Sequence, residues 1–77
     1  MSGSVILASP LPGKVSDVKV REGTKVTADG VVLVLEAMRM EIEIRAEASG
    51  VIKEIKVKPG EAVPTDKVLT IVESDRS

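Results

Sequence analysis

The 77-residue chain contains no histidine, no cysteine and no phenylalanine, tyrosine or tryptophan. Each absence removes a kind of chemistry. Without His there is no imidazole base and no commonest metal ligand, and without Cys there is no thiolate nucleophile, disulfide or zinc-thiolate site. Neither a Ser-His-Asp nor a Cys-His arrangement can be assembled. Bases and sugars find no aromatic platform to stack on, and 11 basic against 12 acidic residues, a net charge of -1, is a poor footprint for nucleic acid. Near the N-terminus only Val5 to Ala8 is continuously apolar, with no basic run before it. That predicts neither a signal peptide nor a membrane span, so a cytoplasmic location is the default expectation.

What the chain does contain is aliphatic and β-branched: 13 Val, 6 Ile, 5 Leu, 6 Ala and 3 Met make up its whole apolar set. Such residues suit pleated, half-buried surfaces. With 30% charged residues of both signs interspersed, the composition predicts a folded globular domain, not a disordered segment. The length allows one core and not two. Residues 1–4 read as a leader, 5–73 as the domain and 74–77 as a polar tail. A carrier, adaptor or interaction module fits this inventory better than an enzyme.

Sliding the sequence on itself by 37 residues lays Val5–Glu36 over Ile42–Glu73 without a gap. Identical pairs include Gly13/Gly50, Lys19/Lys56, Val20/Val57, Gly23/Gly60, Asp29/Asp66 and Glu36/Glu73. Conservative pairs such as Val5/Ile42, Leu7/Ile44, Val15/Ile52 and Val34/Ile71 keep the apolar phase between them. The domain is therefore two copies, 5–36 and 42–73, joined by a hairpin connector, 37–41.

Each copy reads as strands and turns. Glu41 to Arg45 alternates strictly, with Ile42 and Ile44 on one face, whereas Val31 to Leu35 is apolar throughout, as in a strand covered on both sides. The spacing of Val15, Val18 and Val20, repeated in Ile52, Ile55 and Val57, needs one extra residue to bring all three to one face. β-Bulges are predicted near Ser16-Asp17 and Lys53-Glu54. Lys58-Pro59-Gly60 has the order of a type II turn, Arg21-Glu22-Gly23 sits at the matching place, and Pro64 confines its segment to an edge or a strand start. No window has a helical period. Halves this short cannot bury a face alone, so two four-stranded halves are predicted to pack as a sandwich or flattened barrel with approximate two-fold symmetry.

The connector Ala37-Met38-Arg39-Met40-Glu41 is unmatched by the repeat, and its midpoint, Arg39, is expected at a hairpin tip near the two-fold axis. A tip is where a side chain is open to other proteins. On spacing alone Arg39 is a solvated charge on a turn. Glu36, Glu41 and Glu43 cluster beside it and, with no metal or aromatic partner, read as exposed strand charge and not as an acid/base pair. Lys14, Lys19, Lys53, Lys56 and Lys58 alternate with Asp17, Glu22, Glu54 and Glu61, which is a mixed solvated face and not an anion site.

The segment Val34 to Glu41 resembles the Glu-Ala-Met-Lys-Met signature of the biotinyl carrier domains of biotin-dependent carboxylases and decarboxylases, kin of lipoyl domains. Ala8 to Val15 is similar to the family's first strand, and Gly50-Val51-Ile52 and Val57-Lys58-Pro59-Gly60 to its second half, so the likeness covers Ala8 to Glu73. It implies a barrel-sandwich hybrid of two four-stranded antiparallel sheets and a non-catalytic carrier whose cofactor is biotin. The implied partners are a biotin protein ligase, a biotin carboxylase and a carboxyltransferase, with the isolated domain a monomer. Glu36, Ala37, Met38, Met40 and Glu41 would be read by the ligase. Lipoyl domains usually carry Asp-Lys-Ala at the modified position, so Met38 and Met40 favour biotin over lipoyl transfer.

Two departures bear on that expectation. Where the family carries its acceptor lysine, this chain has Arg39. Biotin ligases present an acyl-adenylate to a lone pair on the acceptor. A lysine amine is neutral in roughly one molecule in a few thousand at pH 7, a guanidinium in about one in several million, and resonance weakens it further. Residue 39 is therefore expected to stay unmodified, with no biotin bound to the chain as written and biotin present only in a lysine-bearing counterpart. An acceptor-null form of a carrier is the preferred explanation; an unmodified barrel-sandwich module serving as a structural adaptor is the alternative. The second departure is Asp29 and Asp66, where relatives commonly have Gly; aspartate tolerates left-handed backbone, so both turns are expected to form with modest strain. The gapless repeat leaves no room for a protruding thumb.

Overall fold

The computed structural model describes residues 3–74 and consists of eight strands. They are β1 (Gly3–Ala8), β2 (Gly13–Val18), β3 (Lys25–Val26), β4 (Val31–Ala37), β5 (Met40–Arg45), β6 (Gly50–Ile55), β7 (Ala62–Val63) and β8 (Val68–Ser74). Two four-stranded antiparallel sheets result, one in the order β1-β8-β6-β3 and the other β5-β4-β2-β7. No helix occurs among the described residues. The two sheets enclose a core of Leu7, Val15, Leu33, Leu35, Ile52, Leu69 and Val72 with their neighbours. This is the expected barrel-sandwich hybrid.

The repeat is exact in the strands: adding 37 carries β1 to β5, β2 to β6, β3 to β7 and β4 to β8 with the same end residues. It also exchanges the sheets, since β1-β8-β6-β3 becomes β5-β4-β2-β7. Neither sheet is a half of the chain. Each takes two strands from each copy, so the halves interleave instead of stacking as separate layers. The predicted bulges are present, as register shifts between Val15 and Asp17 in β2 and between Ile52 and Glu54 in β6. They let Val18, Val20 and Ile55 pack on the core that Val15, Ile52 and Val57 enter.

At the two bulges the copies hold each other. The turns Arg21–Thr24 and Lys58–Glu61 close with N–H to O bonds of 3.0 and 3.1 Å, and Gly23 and Gly60, each at φ 91°, supply the left-handed third position of a type II turn. Gly23 N–H then donates to Ile52 O at 2.8 Å and Ile52 N–H to Thr24 O at 2.9 Å. The mirror pair is Gly60 N–H to Val15 O at 2.7 Å and Val15 N–H to Glu61 O at 2.8 Å. Pro64 directly follows β7, an edge strand, where a missing N–H costs no ladder bond.

Several boundaries differ from the sequence expectations. Gly3 and Ser4, assigned to a leader, are strand residues paired with Ser74 and Glu73, and Ser74, assigned to a tail, is buried in β8; residues 1, 2 and 75–77 lie outside the described residues. The connector expected over 37–41 is shorter, because Ala37 pairs with Met40 and Glu36 with Glu41, leaving Met38 and Arg39 as a two-residue loop. Arg39 is not near the two-fold axis either. The symmetry carries the β4–β5 hairpin onto β8 and β1, which pair through Ser74 and Gly3, so the tip corresponds to the ends of the chain. The midpoint of a sequence repeat is not its axis in space. Of the two aspartate turns, only Asp66 takes left-handed backbone, at φ 68°. The turn at Asp29 closes through Gly30 N–H to Thr27 O at 3.0 Å without a positive φ.

Candidate functional site

A two-residue hairpin loop whose central residues both have positive φ twists with its strands, which is the type I′ geometry. Met38 and Arg39 have φ of 52° and 66°. Neither residue is a preferred occupant of such backbone, a role that Asn and Gly fill better. Nor are these side chains placed for packing, since Met38 is 81% exposed, Met40 is 64% exposed and Arg39 is exposed between them. The tip therefore holds two thioethers and a guanidinium out in water against both local preference and burial. Among the described residues, no hydrogen bond or ion pair engages Arg39.

The base of the hairpin is closely packed. Ala37 is only 4% exposed, and a Cβ placed on the facing Gly13 would lie 3.1 Å from the Ala37 Cβ and 2.7 Å from the Glu36 carbonyl oxygen. Ala37 thus turns inward against Gly13 and positions the tip, and its side chain is not offered to a partner as the sequence reading had it. Gly13 matches Gly50 in the repeat, and both are close-approach positions. Glu36 and Glu41 remain exposed and face each other across the ladder. Like charges opposed in this way repel. Lys14 sits opposite Glu36 on the other side, and Lys19, on the segment after β2, feels Glu41 and Glu43.

Lys19 Nζ lies 2.9 Å from Asp17 Oδ2. That hydrogen bond, with the charge attraction behind it, holds the Asp17 carboxyl below the usual carboxylate range. It raises Lys19 above the ordinary lysine value, and Glu41 and Glu43 push in the same direction. The flank of the hairpin is therefore a lattice of neutralised charge with an unpaired acidic rim. It contains no nucleophile with a base in reach, and the described residues include no group of His, Cys, Asp and Glu able to hold a metal. A shallow pocket of about 350 Å³ lies elsewhere, where the ends of β1 and β5 meet at Leu7, Ala8, Ile44 and Arg45. Chemically, the tip can present a side chain and be recognised.

Comparison with known proteins agrees with this geometry. The family model described as a biotin-requiring enzyme domain, shared with lipoyl domains, matches residues 5–72. The gamma subunit of glutaconyl-CoA decarboxylase from Acidaminococcus fermentans is 51% identical over 43 residues, 56% of this chain and 30% of that subunit. Among solved structures, a single-chain, multi-domain long-chain acyl-CoA carboxylase superposes with a TM-score of 0.87 at 30% identity, covering 94% of this chain and 7% of the carboxylase. The lipoyl domain of the 2-oxoglutarate dehydrogenase complex from Azotobacter vinelandii superposes with a TM-score of 0.79 at 24% identity over 95% of this chain and 99% of that domain, a likeness of fold alone. The chain thus spans less than a third of the longer proteins it resembles. A match over nearly the whole domain, on a fold with an exposed Met-Arg-Met hairpin, places this chain in the biotin/lipoyl attachment family, whose members are non-catalytic carrier domains.

Proposed function

We propose that this domain is the biotin carboxyl carrier of a biotin-dependent carboxylase or decarboxylase, in a form that cannot accept biotin because Arg39 replaces the acceptor lysine. The observation that carries the proposal is the hairpin itself: Met38 and Met40 are held out of the core on either side of an unpaired residue 39. The guanidinium does not fit the attachment chemistry, which needs a neutral amine to form the amide. No carboxyl transfer can therefore pass through this chain as written. What its own residues retain is the closely packed base at Ala37 and Gly13, the exposed methionines, and the acidic rim of Glu36 and Glu41. Those are the features a cytoplasmic biotin ligase, a biotin carboxylase and a carboxyltransferase would contact. The domain acts as a monomer, and the parent assembly supplies the catalysts.

Restoring the amine tests the reading. The chain as written and its Arg39→Lys variant are incubated with biotin, ATP and a biotin ligase, and their masses are compared. One biotinyl group on the variant and none on the unaltered chain is the expected result, with the two forms differing in stability by less than about 0.5 kcal/mol because the tip is exposed. A folded lysine variant that the ligase never modifies removes the carrier reading and leaves the structural adaptor.

A further inference from the structure

The sequence has three methionines and no cysteine, histidine, tyrosine or tryptophan, so its oxidisable side chains are Met1, Met38 and Met40. The only two methionines within the described residues flank the same hairpin tip, Met38 in the loop and Met40 at the start of β5, 81% and 64% exposed. Nothing in the fold requires them there. Met40 begins β5, and its equivalent at the start of β1 is Gly3; Met38 occupies left-handed backbone that does not favour it.

We propose that Met38 and Met40 form a peroxide-reactive modification site, and that their reversible conversion to sulfoxides switches off recognition of the hairpin tip while leaving the fold intact. The second part rests on the carrier function proposed above. In the step, a thioether sulfur attacks one oxygen of hydrogen peroxide; the S–O bond forms as the O–O bond breaks, and the departing hydroxide takes the proton from the transferred oxygen, leaving the sulfoxide and water. Sulfur is oxidised by two electrons and the peroxide is reduced by two. An apolar, flexible side chain becomes a polar, chiral one. The core contains no methionine among its members, so packing is untouched. The tip, in contrast, loses both apolar shoulders around residue 39 at once. Methionine sulfoxide reductases would restore them.

The test uses the full chain and its Arg39→Lys variant. After mild hydrogen peroxide, peptide mass mapping is expected to find one added oxygen on each of Met38 and Met40, with an unchanged melting temperature. Ligation of biotin to the oxidised Arg39→Lys variant is expected to run at least about tenfold slower than before oxidation, equivalent to about 1.4 kcal/mol, and to recover after treatment with methionine sulfoxide reductases. Replacing Met38 and Met40 by Leu in the lysine variant keeps the apolar shape without the sulfur, and its ligation rate is expected not to respond to peroxide. Resistance of Met38 and Met40 to peroxide in the folded chain overturns the modification site. Complete oxidation without a change in ligation overturns the switch while the carrier reading stands. A lysine variant that is not ligated even when reduced overturns the carrier reading and the switch together, and the mass map alone then decides the modification site.

Discussion

The two sheets share a backbone strand for strand, yet their outward faces differ. In the sheet that carries the hairpin, Glu43, Val34 and Asp17 form one cross-strand row. The equivalent row of the other sheet is Ile6, Ile71 and Glu54. Val34 is buried among flanking side chains, whereas Ile71 is half-buried beside an Ile6 that is 61% exposed on an edge strand. Edge β5 is guarded by Glu41, Glu43 and Arg45, with Arg45 Nη2 bonded to Glu43 Oε1 at 2.7 Å; edge β1 has Ser4, Ile6 and Ala8 at those places. Other features are kept in both halves. Asp17–Lys19 and Glu54–Lys56 are equivalent ion pairs at 2.9 and 3.0 Å, and Gly13/Gly50 and Gly23/Gly60 recur. What the backbone needs is repeated, and what the outward faces expose is not.

The strongest way to break the comparison is at its most faithful pair. A Cβ on Gly50 would fall inside the Glu73 carbonyl oxygen, while on Gly13 it would meet the Glu36 carbonyl oxygen at 2.7 Å. Gly50→Ala is expected to cost more than about 3 kcal/mol and Gly13→Ala about 1–3 kcal/mol, read by urea denaturation. Equal losses would mean that the two backbones relax alike.

The next difference lies in the core, where Thr70 occupies the place of Leu33. Its Oγ1 is buried without a hydrogen-bond partner. Thr70→Val is expected to raise stability by about 1 kcal/mol, since it removes a hydroxyl that lost water and gained nothing. A destabilised Thr70→Val variant would show that the hydroxyl is satisfied in solution. A smaller effect belongs to the edges. Glu43→Ile makes β5 resemble β1 and is expected to lower the concentration at which light scattering appears on heating, with Ile6→Glu acting in the opposite direction.

The least effect is electrostatic. Because Lys19 lowers the Asp17 carboxyl, this contact favours the folded state above the ordinary carboxylate value and is lost as pH falls through the lowered one. An NMR titration is expected to place the Asp17 midpoint below the ordinary range and to return it upward in Lys19→Met. An unmoved midpoint would assign the shift to another cause.

Much of this arrangement was legible in the sequence. The 37-residue offset, the bulges at Asp17 and Glu54 and the turns at Gly23 and Gly60 all follow from spacing and turn chemistry. Strand pairing did not. A repeat states which segments are equivalent and is silent on which segments touch, so the mixing of halves within each sheet and the displacement of the tip from the axis were not visible. The inward turn of Ala37 depends on a cross-strand glycine 24 positions away, a contact that no local pattern encodes. Met38 and Arg39 could be named as the special residues because they had no repeat partner, but their left-handed backbone contradicts their own propensities. Local rules fail there, as they are expected to at a functional or strained position.

The reciprocal clasp between Gly23 and Ile52 and between Gly60 and Val15 makes each half of the chain depend on the other. Residues 3–37 alone would have an unclasped bulge and a turn with nothing to hold. A half-length peptide could satisfy both only by exchanging turns with a second copy of itself. Joining two such copies through one short hairpin makes the exchange of turns intramolecular.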